Sequence, residues 1–318
     1  MSRPWIFISP SSRGIGHALT RHLLRTTTLP ILATSRTNQD AVKASLLADL
    51  PLPSNITTST STSSTPPSSF SQEDRLHVLP LDVTDEASIR AAAQRAAELF
   101  PPSAQQQQNT AKHNDNYERY HLHLAFAIPG ILHPERAPKQ VDAEDALMTY
   151  RVNTLGPLLL MKWFGEFLPR KNTAIDTSSI VRSDEGNAKT TSSPEQNDET
   201  TIPSHATWLT MSARVGSVSD NRKGGWYSYR SSKAAVNSLA KSFDLHLATK
   251  SGDKAMSIAY HPGTVKTDFS KEFWGSMAKQ QLLDSDYAAA KMVEVVTQKV
   301  GLEGRGRCWD WKGEEILP

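Results

Sequence analysis

The chain has 318 residues, enough to bury a full hydrophobic core. Its 35 basic and 33 acidic side chains leave a net charge of +2, which excludes the charge excess of a nucleic-acid or membrane-surface protein. One cysteine, Cys308, excludes an internal disulfide and a cysteine-based metal site, and fits a reducing compartment.

No run approaches the ~20 apolar residues of a membrane span; the nearest, Leu155 to Leu168, is broken by Lys162 and Glu166. The opening apolar run, Trp5–Ile8, is short and leads straight into a glycine-bearing loop. It reads as a strand rather than a signal peptide, and the expected location is the cytoplasm. In chain order, Trp5–Ile8, Pro30–Thr34, Leu76–Leu79, His121–Ala127, Thr207–Met211 and Met256–Tyr260 are predicted strands. Ile15–Arg25, Glu86–Phe100, Val141–Leu168 and Ser228–Ala248 are predicted helices between them. This alternation predicts an α/β fold: a single-domain, Rossmann-type, doubly wound parallel sheet with helices on both faces, spanning residues 1–318. Three polar stretches, at 54–69, 103–118 and 182–204, hold too few apolar side chains to offset their ordering entropy and are expected to be flexible surface insertions. His121 and His123, two apart, share one face of a strand and are expected to be solvated or hydrogen-bonded there rather than to bind metal.

Ligands of such sheets sit at the carboxyl ends of the strands. After the first strand comes Ser9-Pro10-Ser11-Ser12-Arg13-Gly14-Ile15-Gly16, then a helix. Gly14 and Gly16 permit close backbone approach where a helix start favours a pyrophosphate. The second strand ends at Ser35-Arg36, where an NAD site would place a carboxylate for the ribose hydroxyls. Arg36, with Arg13 in the glycine loop, suits a 2′-phosphate, so the expected cofactor is NADP(H). At the third strand's end, Asp82-Val83 places a carboxylate near an adenine amino group; Asp82 could instead cap the next helix, a task for which Thr84 is better suited.

The segment Gly224-Gly225-Trp226-Tyr227-Ser228-Tyr229-Arg230-Ser231-Ser232-Lys233 opens the last predicted helix. Tyr229 and Lys233, four apart, share one face, and a cation beside the phenol lowers its pKa toward working pH. That supplies a proton donor or acceptor for a carbonyl or alcohol. Tyr227 lies off the Lys233 face. Beyond Thr267, the aromatics Phe269, Phe273 and Trp274 with Met277 form an apolar lid or part of the core, and Cys308-Trp309-Asp310-Trp311 reads as a last strand.

Taken together, Gly14-Ile15-Gly16, Asp82-Val83, Val152-Asn153, Ser212-Ala213-Arg214-Val215-Gly216-Ser217, Tyr229-x-x-x-Lys233 and Pro262-Gly263-Thr264-Val265-Lys266-Thr267 resemble the motifs of the short-chain dehydrogenases/reductases. The likeness is to the C-factor and carbonyl-reductase-like branch and covers about residues 4 to 312. The resemblance implies a small-molecule carbonyl or alcohol substrate and Tyr229 as general acid/base. Lys233 would tune Tyr229 and hold the nicotinamide ribose. Asn153 would fix a water that connects Lys233 to solvent, and a serine would stabilise charge on the substrate oxygen. Ser9, Ser11, Arg13, Gly14, Ile15, Gly16, Ser35, Arg36, Asp82 and Val83 would line the cofactor, closed over by Pro262, Gly263, Val265 and Thr267. Related enzymes pair through the helices bearing Asn153 and Tyr229, so a homo-oligomer is a further expectation.

Three positions depart from the family pattern. The Thr-Gly opening of the phosphate loop is Ser9-Pro10, and the Asn-Asn-Ala-Gly after the fourth strand is Ala127-Ile128-Pro129-Gly130. Ala213 stands where the Ser-x-x-Gly spacing puts the catalytic serine, which leaves Ser212, the preferred candidate, and Ser217. These departures motivate an alternative reading, a catalytically weak or regulatory protein that keeps the fold, with or without the dinucleotide; the intact Tyr229, Lys233, Asn153 and Pro262-Gly263 argue against it, and the expected function is an NADP(H)-dependent carbonyl reductase or alcohol dehydrogenase.

Overall fold

A computed structural model of the chain describes residues 1–50, 71–102, 119–176, 202–276 and 282–318. Its first strand, β1 (Ser2–Ser9), buries both faces: Ile6 and Ile8 point into one core cluster, Trp5 and Phe7 into another. A strand covered on both sides must read as a continuous apolar run, since its side chains alternate between two dry layers.

Around β1 lie β2 (Ile31–Ser35), β3 (Leu76–Pro80), β4 (Arg119–Ala127), β5 (Ala206–Met211) and β6 (Ala255–His261), joined by the short strands β9 (Cys308–Asp310) and β10 (Glu315–Ile316). The sheet order is β10-β9-β6-β5-β4-β1-β2-β3, parallel except for the antiparallel edge strand β10. A separate pair, β7 (Thr264–Val265) and β8 (Leu282–Leu283), lies beyond β6. One face is covered by α1 (Gly14–Thr26), α2 (Gln39–Leu47) and α8 (Ser285–Glu294), through Leu19, Leu23, Leu46 and Met292. The other is covered by α4 (Glu86–Leu99), α6 (Gly156–Phe164) and α7 (Tyr227–Lys250), through Ile89, Leu160, Phe164 and Leu247. The short α3 (Gln72–Arg75) and α5 (Ala143–Tyr150) complete the helices. This is the doubly wound arrangement expected from the sequence.

The predicted helix Val141–Leu168 is one helical run with a change of pitch. Between α5 and α6, residues Arg151–Leu155 widen into a π turn. Pro157 has no N–H to give to the carbonyl of residue 153, and the local i→i+5 pattern accommodates that loss. Asn153 sits within the widened turn. The helix after β3 is capped by Asp85, whose carboxylate accepts from Ala87 N–H, and not by Thr84 or Asp82.

The stretches 54–69 and 103–118 lie outside the described residues, as does 182–201. The end of the third stretch is not a surface insertion: Ile202 is buried in the core, and Pro203 O accepts a hydrogen bond from His123. His123 is also the extra residue of a bulge, since Trp5 pairs with Leu122 and Ile6 with Leu124. Both histidines are buried and neither is solvated. His123 Nε2 must donate to Pro203 O, so its Nδ1 accepts from His121 Nε2 (3.0 Å), whose Nδ1 accepts from Ser2 Oγ (3.1 Å). Among the described residues no cluster of metal-ligating side chains exists, and no helix is long and apolar enough to cross a membrane.

Burial, with the His123 ring adding to it, draws His121 down to about 3, and burial, with His205 adding to it, draws His123 down to about 4. The unfolded chain therefore takes up protons first, and the stability that neutral rings contribute above pH ~6.5 is lost as pH falls toward 4. Calorimetric melting temperatures should drop over that interval, and a His121→Asn/His123→Asn double variant should drop less. Equal acid slopes for the two proteins would contradict this assignment.

Candidate active site

The strand order reverses between β1 and β4, and Ile128 N–H, just past β4, donates to Ser9 O at the end of β1 (2.8 Å). A crevice opens at such a reversal, at the carboxyl ends of the strands. On the β1 side the chain turns through a cis Ser9–Pro10 peptide and enters α1 at Gly14, whose φ is +57°. A Cβ on Gly16 would lie 1.9 Å from Pro10 O, so no other residue fits there. A Cβ on Gly14 would come within 3.3 Å of the Thr267 methyl, which shows how closely the 262–267 segment approaches this loop. Arg13, the N-cap of α1, is extended and gives no side-chain cap, and the first turn holds no acidic residue. The N–H groups that open α1 therefore face the crevice with no carboxylate to compete for them.

The hydroxyls of this loop turn inward. Ser9 Oγ accepts from Thr34 Oγ1, and Ser11 Oγ donates to Ile8 O; both residues are fully buried. Ser11 N–H also donates to Thr34 O (2.8 Å), so Ser9 and Ser11 brace the loop and do not face the crevice, while Ile15 packs against the core. At the end of β2, Ser35 Oγ donates to Thr37 O, and Arg36, like Arg13, is exposed. Asp82 Oδ1 accepts from the N–H and hydroxyl of Thr84, and Val83 packs against Gly156.

Three consecutive left-handed residues, Gly224 (φ +62°), Gly225 (φ +68°) and Trp226 (φ +50°), turn the chain into α7. The helix start has no cap of its own. Glu135, buried in the loop after β4, supplies one: its backbone carbonyl accepts from Trp226 N–H (2.6 Å) and its carboxylate from Ser228 N–H (3.0 Å). Tyr229 follows in the first turn at 7% exposure, whereas Tyr227 is 41% exposed. The Tyr229 ring lies between Trp226 (centroids 6.2 Å apart) and Phe269 (6.0 Å).

One turn on, Lys233 is 1% exposed; its Nζ donates to Met211 O (2.8 Å) and sits 5.8 Å from the Tyr229 ring centroid. Burial draws the ammonium down to about 7. Burial also pushes the Tyr229 phenol well above its ordinary range, opposite to the lowering that the four-residue spacing alone suggested. Removal from water favours the neutral form of each group, and in this state it outweighs their mutual attraction.

Asn153 is fully buried and clamps the loop after β4: Oδ1 accepts from Ile131 N–H (2.8 Å), and Nδ2 donates to Ile131 O (2.9 Å) and Ser232 Oγ (3.1 Å). The clamp holds Gly130 where a Cβ would lie 3.8 Å from Lys233 Nζ and 3.9 Å from Asn153 Oδ1. Asn153, Lys233 and Tyr229 are thus brought together. The Ser212 and Ser217 hydroxyls are not directed at them; Ser212 Oγ reaches the Lys233 backbone carbonyl at 3.4 Å, not its ammonium. Ser212 Oγ donates to Asn237 Oδ1 (2.6 Å), and Ser217 Oγ accepts from Asp220 N–H (3.0 Å). On the far wall Val265 is buried, and at Gly263 (φ +76°) a Cβ would meet Trp311 at 2.9 Å. Pro262 and Thr267 flank that wall, half-buried. Phe269 and Trp274 are partly exposed and belong to the crevice rim rather than the core; Met277 and the Phe273 side chain lie outside the described residues.

No protein-family model matches the chain. Two curated proteins match parts of it. One is a 1-hydroxy-2-glutathionyl-2-methyl-3-butene dehydrogenase of a Rhodococcus species, 39% identical over 26% of this chain and 34% of its own length. The other is the C-signal of Myxococcus xanthus, 30% identical over 33% of this chain and 57% of its own. The match thus spans about a third and just over half of these relatives. Solved structures align throughout: an NADPH-bound carbonyl reductase from chicken fatty liver (TM-score 0.67, 22% identity, 100% of both chains) and the carbonyl reductase Sniffer of D. melanogaster (0.67, 20%, 99% of both). A short-chain dehydrogenase from Burkholderia cenocepacia in complex with NADP aligns at 0.60, with 17% identity over 96% of this chain and 95% of its own. At these identities the likeness is one of fold.

Sequence reasoning missed Glu135, which lies 93 residues before the N–H it caps and carries no periodic or motif signal. Glu135→Ala should lower stability by about 1–3 kcal/mol, because it leaves a buried N–H at a helix start without an acceptor. Glu135→Gln keeps an acceptor and should recover most of that loss in chemical denaturation. An alanine variant as stable as the parent would remove Glu135 from this role.

Proposed function

We propose that this chain, which has the fold of the short-chain dehydrogenases/reductases, is an NADP(H)-dependent oxidoreductase that reduces a carbonyl or oxidises the corresponding alcohol. The observation that carries this reading is the burial of Tyr229 and Lys233 side by side at the strand-order reversal. The crevice fits a dinucleotide. Its phosphate end offers backbone at Gly14 and Gly16 that no Cβ could replace without strain or collision, and a helix start with no competing acid. Arg13 and Arg36 would hold a 2′-phosphate, Asp82 and Val83 would border the adenine, and Val265 and Thr267 would face the nicotinamide end. The chicken and Burkholderia structures, named for bound NADPH and NADP, support that choice of nucleotide.

The bound nicotinamide supplies the hydride. Tyr229 Oη gives its proton to the carbonyl oxygen, and its raised pKa keeps it protonated and ready as an acid at neutral pH. A protonated Lys233 lowers the cost of the phenolate that results; its own pKa, drawn to about 7, makes it a proton store at working pH. Asn153 acts by holding the backbone at 130–131 against Lys233, the place from which solvent protons would reach the ammonium. The Trp226 and Phe269 rings keep water from the phenol. Exposed Leu147, Leu155, Leu158 and Leu245 on the helices next to Asn153 and along α7 support a homo-oligomer paired through that face.

The engagement of Ser212 with Asn237 favours a second reading, a nucleotide-binding regulatory protein without turnover. NADPH oxidation followed over aldehydes, ketones and quinones separates the two: binding without any turnover would select the second.

Tyr229→Phe should reduce turnover by at least ~10²-fold while NADPH affinity stays within about twofold, since the hydroxyl moves a proton and leaves cofactor contacts intact. Substantial residual activity would exclude Tyr229 as the acid. Arg36→Ala should weaken NADPH much more than NADH; equal weakening would remove the 2′-phosphate from Arg36.

A further inference from the structure

We propose that Glu135 is a positioning residue for the reaction: it holds the left-handed turn that sets the Trp226 indole against the Tyr229 phenol, and its effect on turnover passes through that ring. The inference rests on the reductase reading above and adds to it a residue outside the proton chemistry.

The turn at 224–226 does not support itself. Trp226 is left-handed (φ +50°, ψ +49°), a backbone state disfavoured for a bulky residue, which persists only where the surroundings over-determine it. Local groups give little help. The N-cap residue of α7, Trp226 itself, supplies no side-chain acceptor, and the Ser228 hydroxyl is buried with no hydrogen-bond partner among the described residues. Arg230 holds the residues before the tryptophan: its Nε donates to Gly224 O (3.2 Å) and Gly225 O (3.0 Å). Glu135 holds what lies at and beyond it. Its carbonyl accepts from Trp226 N–H and its carboxylate from Ser228 N–H, so the two bonds bracket the Trp226 torsions. The two backbones are in contact here, since a Cβ on Gly225 would lie 3.2 Å from Glu135 O. Glu135 is in turn braced: it is 4% exposed, and Gln140 Oε1 accepts from the next two N–H groups, those of Arg136 (2.7 Å) and Ala137 (3.1 Å).

What the turn presents is the indole. Its ring meets the phenol edge-on, at 78° with 6.2 Å between centroids, the geometry of a favourable aromatic pair. A turn that relaxes out of the left-handed region carries the indole away. Water then reaches the phenol, and a wall against which a substrate carbonyl would be aligned is lost. A misplacement of ~1 Å at a reacting centre costs up to ~10²-fold in rate. Nucleotide binding is expected to be spared, because Arg13, Gly14 and Arg36 follow β1 and β2 on other chain segments, and Lys233 is tied separately to Met211 O.

The test compares the parent with Glu135→Ala and Glu135→Gln at a temperature where each is folded by circular dichroism. The substrate is whichever of 4-nitrobenzaldehyde, acetophenone and 1,4-naphthoquinone the parent reduces fastest. Glu135→Ala should lower kcat by ~10- to ~10²-fold, with the calorimetric NADPH Kd within about twofold of the parent. Glu135→Gln, which keeps an acceptor for Ser228 N–H, should stay within about threefold in kcat. In a Trp226→Gly background the alanine change should cost less than about twofold more, because the ring it acts through is gone. The indole can also be followed directly. The emission of residue 226, taken as the difference from the matching Trp226→Phe protein, should move to longer wavelength and become more quenchable by acrylamide in Glu135→Ala, and not in Glu135→Gln. Should the alanine variant fail to fold, Glu135→Asp, whose carboxylate stops one methylene short of Ser228, takes its place in each comparison. Parental kcat in the folded variant, no rescue by glutamine, losses that multiply with Trp226→Gly, or an unmoved residue-226 emission would each overturn the proposal and leave the reductase reading standing. A parent that oxidises no NADPH with any of the three carbonyls overturns both.

Discussion

The arrangement depends on an ammonium group placed where water does not reach. Lys233 is 1% exposed and, among the described residues, donates to one acceptor, the carbonyl that ends β5. An isolated charge in such a place is expensive, and the group responds by surrendering its proton more readily. The contact also sets distances: α7 must lie close enough to β5 for a four-carbon side chain to arrive at Met211 O. Gly216 makes that approach possible, since a Cβ there would stand 2.7 Å from the Lys233 carbonyl carbon. The position of Tyr229, one turn earlier on the same helix, follows from where Lys233 is tied.

Two opposing influences then act on one pair of groups. Desolvation holds the phenol protonated and the amine near its midpoint, while any proton that leaves Tyr229 creates an anion beside a group able to become a cation. In the proposed reaction the pair would be biased toward giving a proton to a substrate and recovering it afterwards. Glu135, the π turn around Asn153 and the clamp on Ile131 act on geometry. Their contribution is to hold three separate chain segments, the loop after β4, the widened helix and the start of α7, within one hydrogen-bonded unit.

Much of this was legible in the sequence where chemistry and local geometry coincide. Tyr229 and Lys233 announce themselves because four residues make one helical turn, and Gly14 and Gly16 because only glycine permits the contacts they make with Thr267 and Pro10. Five of the six predicted strands were legible because each is dry on both faces; β3, the edge strand, is buried only at Leu76 and was legible from its apolar run alone. What could not be read was set by contacts between distant segments. Nothing near Glu135 indicates that it caps a helix 93 residues away. Neither the direction in which Ser212 points nor the sign of the Tyr229 shift follows from spacing, because both depend on what α7 packs against. The short α2, α8 and the β7–β8 pair were missed because each is only two to ten residues long and tertiary packing selects its conformation.

Trp226 carries a tension between two properties of the protein. Its backbone is left-handed (φ +50°, ψ +49°), a conformation that costs a bulky residue ~1 kcal/mol or more and that glycine adopts freely. Gly224 and Gly225 beside it show that the turn accepts glycine. A chain selected for durability alone would drift toward glycine at this position as well, and in doing so would lose the indole that walls one side of the phenol. The tryptophan thus stands as a local exchange of thermal robustness for molecular discrimination, and attempts to harden this protein by consensus or loop redesign will meet that conflict first at residue 226.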